Sequence, residues 1–290
     1  MNEKKEHKKA HSDKPTQWIR RFPGYYSFLH ILVIISFLGL SLSGATLKFA
    51  DQPWAKFISD ILGGIAVTGS MHRFCAVITF AYFLLHIIGM FKIMRKNRQS
   101  LASFILNKNS MLPNLNDLKE FIQTVKWFLR LGQKPDYGRW TYWEKFDYFA
   151  VFWGVAIIGS TGLILWFPEL FTHWLPGWVI NIATIIHSDE ALLAMGFIFT
   201  IHFFNTHFRP EKFPMDTVIF TGKVTLEEFK KERPREYQQL VDENKLDELL
   251  VPPPTKNTLF IAKIFGFSAL SIGISLVLLI LWAFLYIFIS

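Results

Sequence analysis

The chain has 290 residues, of which 51% are hydrophobic, with 30 Phe and 10 Trp, and its formal net charge is +8. Its basic residues are spread over the connections between apolar segments, which argues against a nucleic-acid-binding protein. The single cysteine, Cys75, excludes an intrachain disulfide, a cysteine-ligated cluster and the C-x-x-C-H motif of covalently attached c-type haem.

Five apolar segments are long enough to cross the roughly 30 Å hydrocarbon layer of a bilayer. Backbone polar groups in lipid must be satisfied within the segment, so these segments are expected to be helices. The sequence therefore predicts an all-α integral membrane protein with a bundle of four helices and a fifth transmembrane helix. The predicted spans are residues 28–47, 69–93, 146–167, 183–207 and 259–289.

Lys and Arg alternate sharply between successive hydrophilic segments. By the positive-inside rule, the N-terminal tail and the basic connections lie in the cytoplasm, and the odd number of spans puts the C-terminus in the periplasm. We therefore predict a multi-pass protein of the bacterial inner membrane, with a basic tail and a charged loop on the cytoplasmic side. The basic segments are residues 1–27, 92–145 and 208–258, and the nearly uncharged ones are 48–64 and 168–182.

The second and fourth predicted spans each carry two histidines about four turns apart. These are His72 and His86, and His187 and His202. Fourteen residues turn an α-helix by roughly −40° and fifteen by roughly +60°, so each pair stays near one face, with roughly 21–22 Å between its two levels. Ionisable residues inside spans are costly and mark functional sites. The pattern predicts two non-covalent b-type haems, one above the other, each with two axial histidines.

Depth in the membrane predicts which histidines share a haem. The second and fourth spans run in the same direction, with His72 and His187 near their outer ends and His86 and His202 short of their inner ends. The sequence therefore pairs His72 with His187 and His86 with His202. Two axial imidazoles leave iron no open position, which favours electron transfer. Arg73 is a candidate partner for a haem propionate, with an interfacial anchor as the alternative.

Two further histidines lie in the predicted spans. His30 is near the cytoplasmic side of the first span, and His207 ends the fourth. In an α-helix His207 is rotated by about 140° from His202, so it is expected to contact a headgroup or a loop rather than the same haem. A third haem with His30 and His207 as ligands is the alternative. His7 and His11, in the charged tail, receive no role.

Short motifs occur in a fixed order through the first four spans and the segment that follows. They are Arg21-Phe22, His30, Leu42-Ser43-Gly44, His72-Arg73, Thr161-Gly162, Trp166-Phe167-Pro168, Ile186-His187, Ile201-His202 and Gly222-Lys223-Val224. In this order they resemble the b-type cytochrome subunits of formate dehydrogenases and nickel–iron hydrogenases, and the related dihaem subunits that accompany multihaem cytochromes c. The resemblance covers about residues 18–235 and leaves out the fifth span.

The resemblance implies a four-helix bundle that relays electrons between a periplasmic redox partner and a quinone site near the cytoplasmic haem. It implies His72 and His187 as ligands of the outer haem, and His30 with His202 as ligands of the inner one. His86 departs from that pattern and matches the paired spacing of cytochrome b in bc-type complexes. Spacing favours His86 with His202, which we take as the prediction, leaving His30 near the quinone pocket or on an additional haem.

The predicted function is that of a membrane cytochrome b subunit in a quinone-linked oxidoreductase complex of a respiratory chain. Its partner is predicted to be an extrinsic multihaem cytochrome c or an iron–sulfur, molybdenum or hydrogenase subunit, because the chain has no soluble catalytic domain. One alternative is a histidine-based proton or ion transporter, although the spans have few carboxylates at mid-depth and no obvious inverted repeat. The other is a passive membrane anchor, which leaves the paired histidines unexplained.

Overall fold

A computed structural model of the protein describes residues 16–107 and 109–289, with side chains up to residue 286. His7, His11 and the first part of the predicted tail lie outside the described residues. The described chain is mostly helical, and five of its helices are long and apolar enough to cross a membrane, which confirms the predicted fold class. Numbered in chain order, spans 1 to 5 are Gly24–Lys48, Ile65–Lys96, Tyr142–Trp166, Trp178–Phe208 and Lys256–Ile289.

Span 1 is the centre of the helix packing. It lies along span 2, where Gly39 permits a close approach to Cys75, and it also contacts spans 4 and 5, while span 3 lies against span 4. The main apolar core forms where spans 1, 4 and 5 meet, so the fifth span is an integral part of the bundle. The buried members of this core are Ala45, Met195, Phe199, Phe203, Leu270 and Leu276.

Spans 3 and 4 are not continuous α-helices. Span 3 contains a π-helical segment at Val155–Gly159, and span 4 contains two, at Ile198–His202 and Phe204–Phe208. A π-helix is hydrogen-bonded from residue i to i+5, and such segments occur frequently at functional sites. Rotations counted at 100° per residue therefore do not apply to the end of span 4.

The shorter helices lie in the connections. A helix over Pro53–Leu62 joins spans 1 and 2 and ends at Gly63 and Gly64, whose φ angles of 99° and 96° favour glycine. The helix Leu115–Phe128 is amphipathic and exposes apolar side chains. The remaining short helices are Leu101–Ile105, Pro168–Phe171, Val218–Thr221, Leu226–Glu232, Pro234–Asp242 and the 3₁₀ turn Asp247–Leu249.

One end of the bundle carries a small cap domain, formed by residues 16–22, 109–141 and 209–251. Its three-stranded antiparallel sheet was not predicted from the sequence. The central strand, β1 (Trp18–Arg20), pairs with β2 (Lys223–Thr225) on one side and β3 (Leu250–Val251) on the other. Ile19 of β1 is fully buried against Val224 and Phe229. The three basic segments thus meet at the same end of the spans.

Buried ion pairs tie the parts of the cap domain together. Arg21 and Arg139 both bind Glu236, at 3.1 and 2.8 Å, and Arg233 binds Glu144 at the start of span 3, at 2.8 Å. Burial, together with the charge of Arg233, lowers the pKa of Arg21 to about 10. Removing one partner of such a buried pair leaves an uncompensated charge, which costs about 3–5 kcal/mol.

A second cluster surrounds Lys212, which follows span 4. Its buried ammonium contacts the carboxylates of Asp216 and Glu232 at 2.9 and 3.1 Å, and also that of Glu228. Burial alone would lower the pKa of Lys212, but the three carboxylates outweigh it and raise the pKa above its ordinary value. The lysine therefore stays charged throughout the neutral range and fixes the chain as it leaves span 4.

Candidate functional site

The structure brings the rings of His72 of span 2 and His187 of span 4 next to each other, edge-on. Their ring centroids are 6.1 Å apart, and the planes of the rings are inclined by 74°. At the same end of the bundle, the ammonium of Lys48 binds Asp189 at 3.2 Å and joins span 1 to span 4. The two residues of the predicted outer pair therefore lie close together in space.

Both imidazoles of this outer pair are oriented through Nδ1. The hydroxyl of Ser43 donates to the carbonyl oxygen of Gly39 at 2.6 Å, so it accepts from Nδ1–H of His72 at 3.0 Å. Nδ1–H of His187 donates to the carbonyl oxygen of Ile158 at 2.9 Å, within the π-helical segment of span 3. These bonds leave the lone pair of each Nε2 for a metal, the arrangement common to metal-binding histidines.

The outer pair has the dimensions that two axial ligands require. A metal bonds an imidazole nitrogen at about 2 Å, and a ring centre lies about 1 Å behind its nitrogen, so two axial rings have centres about 6 Å apart. Glycines make room for the rings. A Cβ on Gly44 would stand 3.2 Å from Cε1 of His72, and a Cβ on Gly162 would stand 3.0 Å from Cε1 of His187. The residues present therefore fit a bis-histidine haem.

At the other level of the bundle, His202 is held by Asp147 of span 3. Nδ1 of His202 lies 2.9 Å from Oδ2 of Asp147, and both side chains are largely buried. A carboxylate only accepts, so Nδ1–H donates and Nε2 is left for a ligand. The second carboxylate oxygen, Oδ1, is buried without a hydrogen-bond partner in the described part of the chain. Asp147 was missed in the sequence, although it is the only charged residue of the predicted span 146–167.

His86 takes part in a different contact. Its Nε2 lies 2.9 Å from the hydroxyl of Tyr148, and its ring also lies against Phe152. Because Asp147 and Tyr148 are consecutive, they bind two different histidines from one turn of span 3. No hydrogen bond, ring contact or charge interaction joins His86 to His202 among the residues that the structure describes.

His30, in span 1, lies near His202 and His207. His207 in turn lies near His202. The two are five residues apart, which is one turn of the π-helix that contains His207, so the rotation of 140° expected for an α-helix does not occur. The π-helical turns have no local signal in the sequence.

The ring nitrogens of His207 are arranged differently from those of His202. Nδ1 of His207 accepts a hydrogen bond from the backbone N–H of Asp216 at 3.2 Å. In the neutral ring the proton is then on Nε2, which cannot ligate a metal in that form. Arg73, the other candidate, is exposed near the outer pair and donates to the carbonyl oxygen of Gly69 at 3.2 Å.

No three His, Cys, Asp or Glu side chains come together to hold a bare metal ion in residues 16–107 and 109–289. A haem would need only two axial ligands from the protein, because its porphyrin supplies the other four. No protein-family model matches the chain, and no curated protein matches it.

Proposed function

We propose that the chain is a membrane electron-transfer subunit in which paired histidines hold b-type haems. The single observation that carries this proposal is the outer pair, with ring centres 6.1 Å apart and both Nδ1 atoms engaged. A haem with two axial histidines supplies reversible one-electron transfer without an open coordination position. His72 and His187 hold the outer haem, while Ser43 and the carbonyl oxygen of Ile158 keep their rings in place.

For the inner haem we propose His202 and His30. Asp147 gives His202 the tautomer that a ligand needs, and His30 lies near His202. Spacing in the sequence favoured His86, but Nε2 of His86 is engaged with Tyr148. The same reasoning leaves His207 out of the ligand set and gives no support to a third haem.

We place the quinone site beside the inner haem, next to His86 and Tyr148. This hydrogen-bonded pair lies in apolar spans, close to the phenyl ring of Phe152. Ionisable side chains within spans are costly, and such residues mark functional positions. Quinone oxygens accept hydrogen bonds from such groups. The cap domain then lies in the cytoplasm, and the outer haem faces a periplasmic partner, an extrinsic multihaem cytochrome or another redox subunit.

A difference spectrum of the purified protein tests this function. We expect reduction to give a b-type absorbance, and His72→Ala and His187→Ala each to remove one haem in a pyridine haemochrome assay. His173→Ala is the matched control, because His173 is exposed at the same end of the spans. A protein without reducible absorbance, or unchanged haem content in both variants, would refute the proposal and favour a proton transporter or a passive anchor.

A further inference from the structure

Span 5 lies close to span 4 at Gly273. A Cβ on Gly273 would stand 2.6 Å from Cδ1 of Phe199 and 2.8 Å from Cε2 of Phe203. Real Cβ atoms do not come this close, so either the rings or the helix would have to move. The backbone of span 5 can contact span 4 here only because residue 273 has no side chain.

The two rings have little freedom to move. Phe199 and Phe203 are 4% and 8% exposed and belong to the core between spans 1, 4 and 5. Phe199 contacts Phe37 of span 1 edge-on, with centroids 5.5 Å apart, and the two rings contact each other at the same distance. Well-packed interiors accommodate an added methyl group poorly. A methyl group at position 273 would therefore push the backbones of spans 4 and 5 apart.

In span 4, the backbone that would move is the part that carries His202 and His207. Phe199 lies within the π-helical segment Ile198–His202, and Phe203 directly follows it. The ring centroid of Phe203 also lies 6.5 Å from that of His202 and 6.3 Å from that of His207. A π-helical turn departs from regular helix geometry and needs support from its surroundings. Span 5 supplies a surface against which both phenylalanines rest.

We propose that Gly273 is a positioning residue, which lets span 5 close on span 4 and hold the π-helical segment with His202 facing Asp147 and His30. This gives the fifth span, which lies outside the family resemblance, a specific role at the inner site. The effect on the haem rests on the proposed function, whereas the effect on the backbone of span 4 does not.

Hydrogen exchange and spectroscopy on the full-length protein test this role. In Gly273→Ala we expect amides of residues 196–208 to exchange about tenfold faster than in the wild type. We also expect the low-spin signal of the inner haem to change while that of the outer haem does not. Gly196→Ala is the matched control, because a Cβ on Gly196 meets nothing within 4 Å. It should leave both measurements unchanged.

A second substitution tests the contact itself. Phe203→Leu removes Cε2 and Cζ, two of the three atoms that the added methyl group would meet. We expect it to restore much of the wild-type exchange to Gly273→Ala, or to allow the variant to accumulate if the single substitution prevents folding. Wild-type exchange in Gly273→Ala would overturn the positioning role. Absence of haem from every variant would refute the proposed function, while the exchange data would still decide the role of Gly273.

Discussion

Replacing Asp147 by Asn isolates the contribution of one carboxylate to the inner site. The substitution keeps the size of the side chain but lets it donate as well as accept. An amide that donates to Nδ1 of His202 selects the tautomer with the proton on Nε2, which is the wrong form for a ligand. The native contact is a mostly buried charge-assisted bond of 2.9 Å. Such a bond contributes about 1.5–3 kcal/mol, equivalent to a change of about 10–100-fold in metal-ligand affinity.

The assay is haem titration into the apoprotein, followed by optical and electron paramagnetic resonance spectra. We expect Asp147→Asn to weaken binding at one site by about 10–100-fold and to leave the other site unchanged. Asp189→Asn is the control, since that carboxylate is exposed and lies at the outer end of the spans, where it pairs with Lys48. If Asp147→Asn bound haem with the wild-type affinity at both sites, the assignment of His202 as a ligand oriented by Asp147 would be refuted.

Three further outcomes follow from the contacts around the spans. Gly162→Ala should place a methyl group against His187, at a cost of about 1–3 kcal/mol, and should lower the occupancy of the outer haem alone. The haemochrome assay measures this occupancy, with Gly196→Ala as the control. Lys212→Met should reduce stability by about 3–5 kcal/mol by stranding three carboxylates. The pKa of Lys212 is raised in the folded protein and is about 10.4 in the unfolded chain, so the lysine is charged in both states at neutral pH. The loss of stability, measured by thermal unfolding, should therefore be the same at pH 6 and pH 8. Lys245→Cys, made in a chain with Cys75→Ser, should not react with impermeant thiol reagents added outside intact cells. Lys245 is exposed, but it belongs to the cap domain, which is proposed to lie in the cytoplasm. Efficient labelling would reverse the proposed orientation.

Much of the bundle is predictable from the sequence because it depends on hydropathy and regular spacing. The five spans and the contact of His72 with His187 follow from those rules, and that contact lies where spans 2 and 4 keep ordinary α-helical turns. The inner level is less predictable because the π-helical turns begin at Ile198, so counted rotations fail for His202 and His207.

Other features depend on contacts between distant segments. The cap sheet is built from strands of two or three residues, too short for a pattern of alternation to appear, and its central strand pairs with residues about 200 positions away. Burial of the ion pairs around Glu236 likewise has no local signal. Asp147 did have one, since an isolated carboxylate in a predicted span marks a functional position.

The two sites differ in what accepts the proton of Nδ1, and this predicts an order of reduction potentials. At the outer site the acceptors are neutral, the hydroxyl of Ser43 and a backbone carbonyl, whereas His202 donates to a carboxylate. A carboxylate partner makes the imidazole a stronger donor to the metal and favours the oxidised state. We therefore expect two waves in a potentiometric titration, with the inner haem at the lower potential. The lower wave should disappear in His202→Ala and move upward in Asp147→Asn, and its loss in His187→Ala instead would contradict this order.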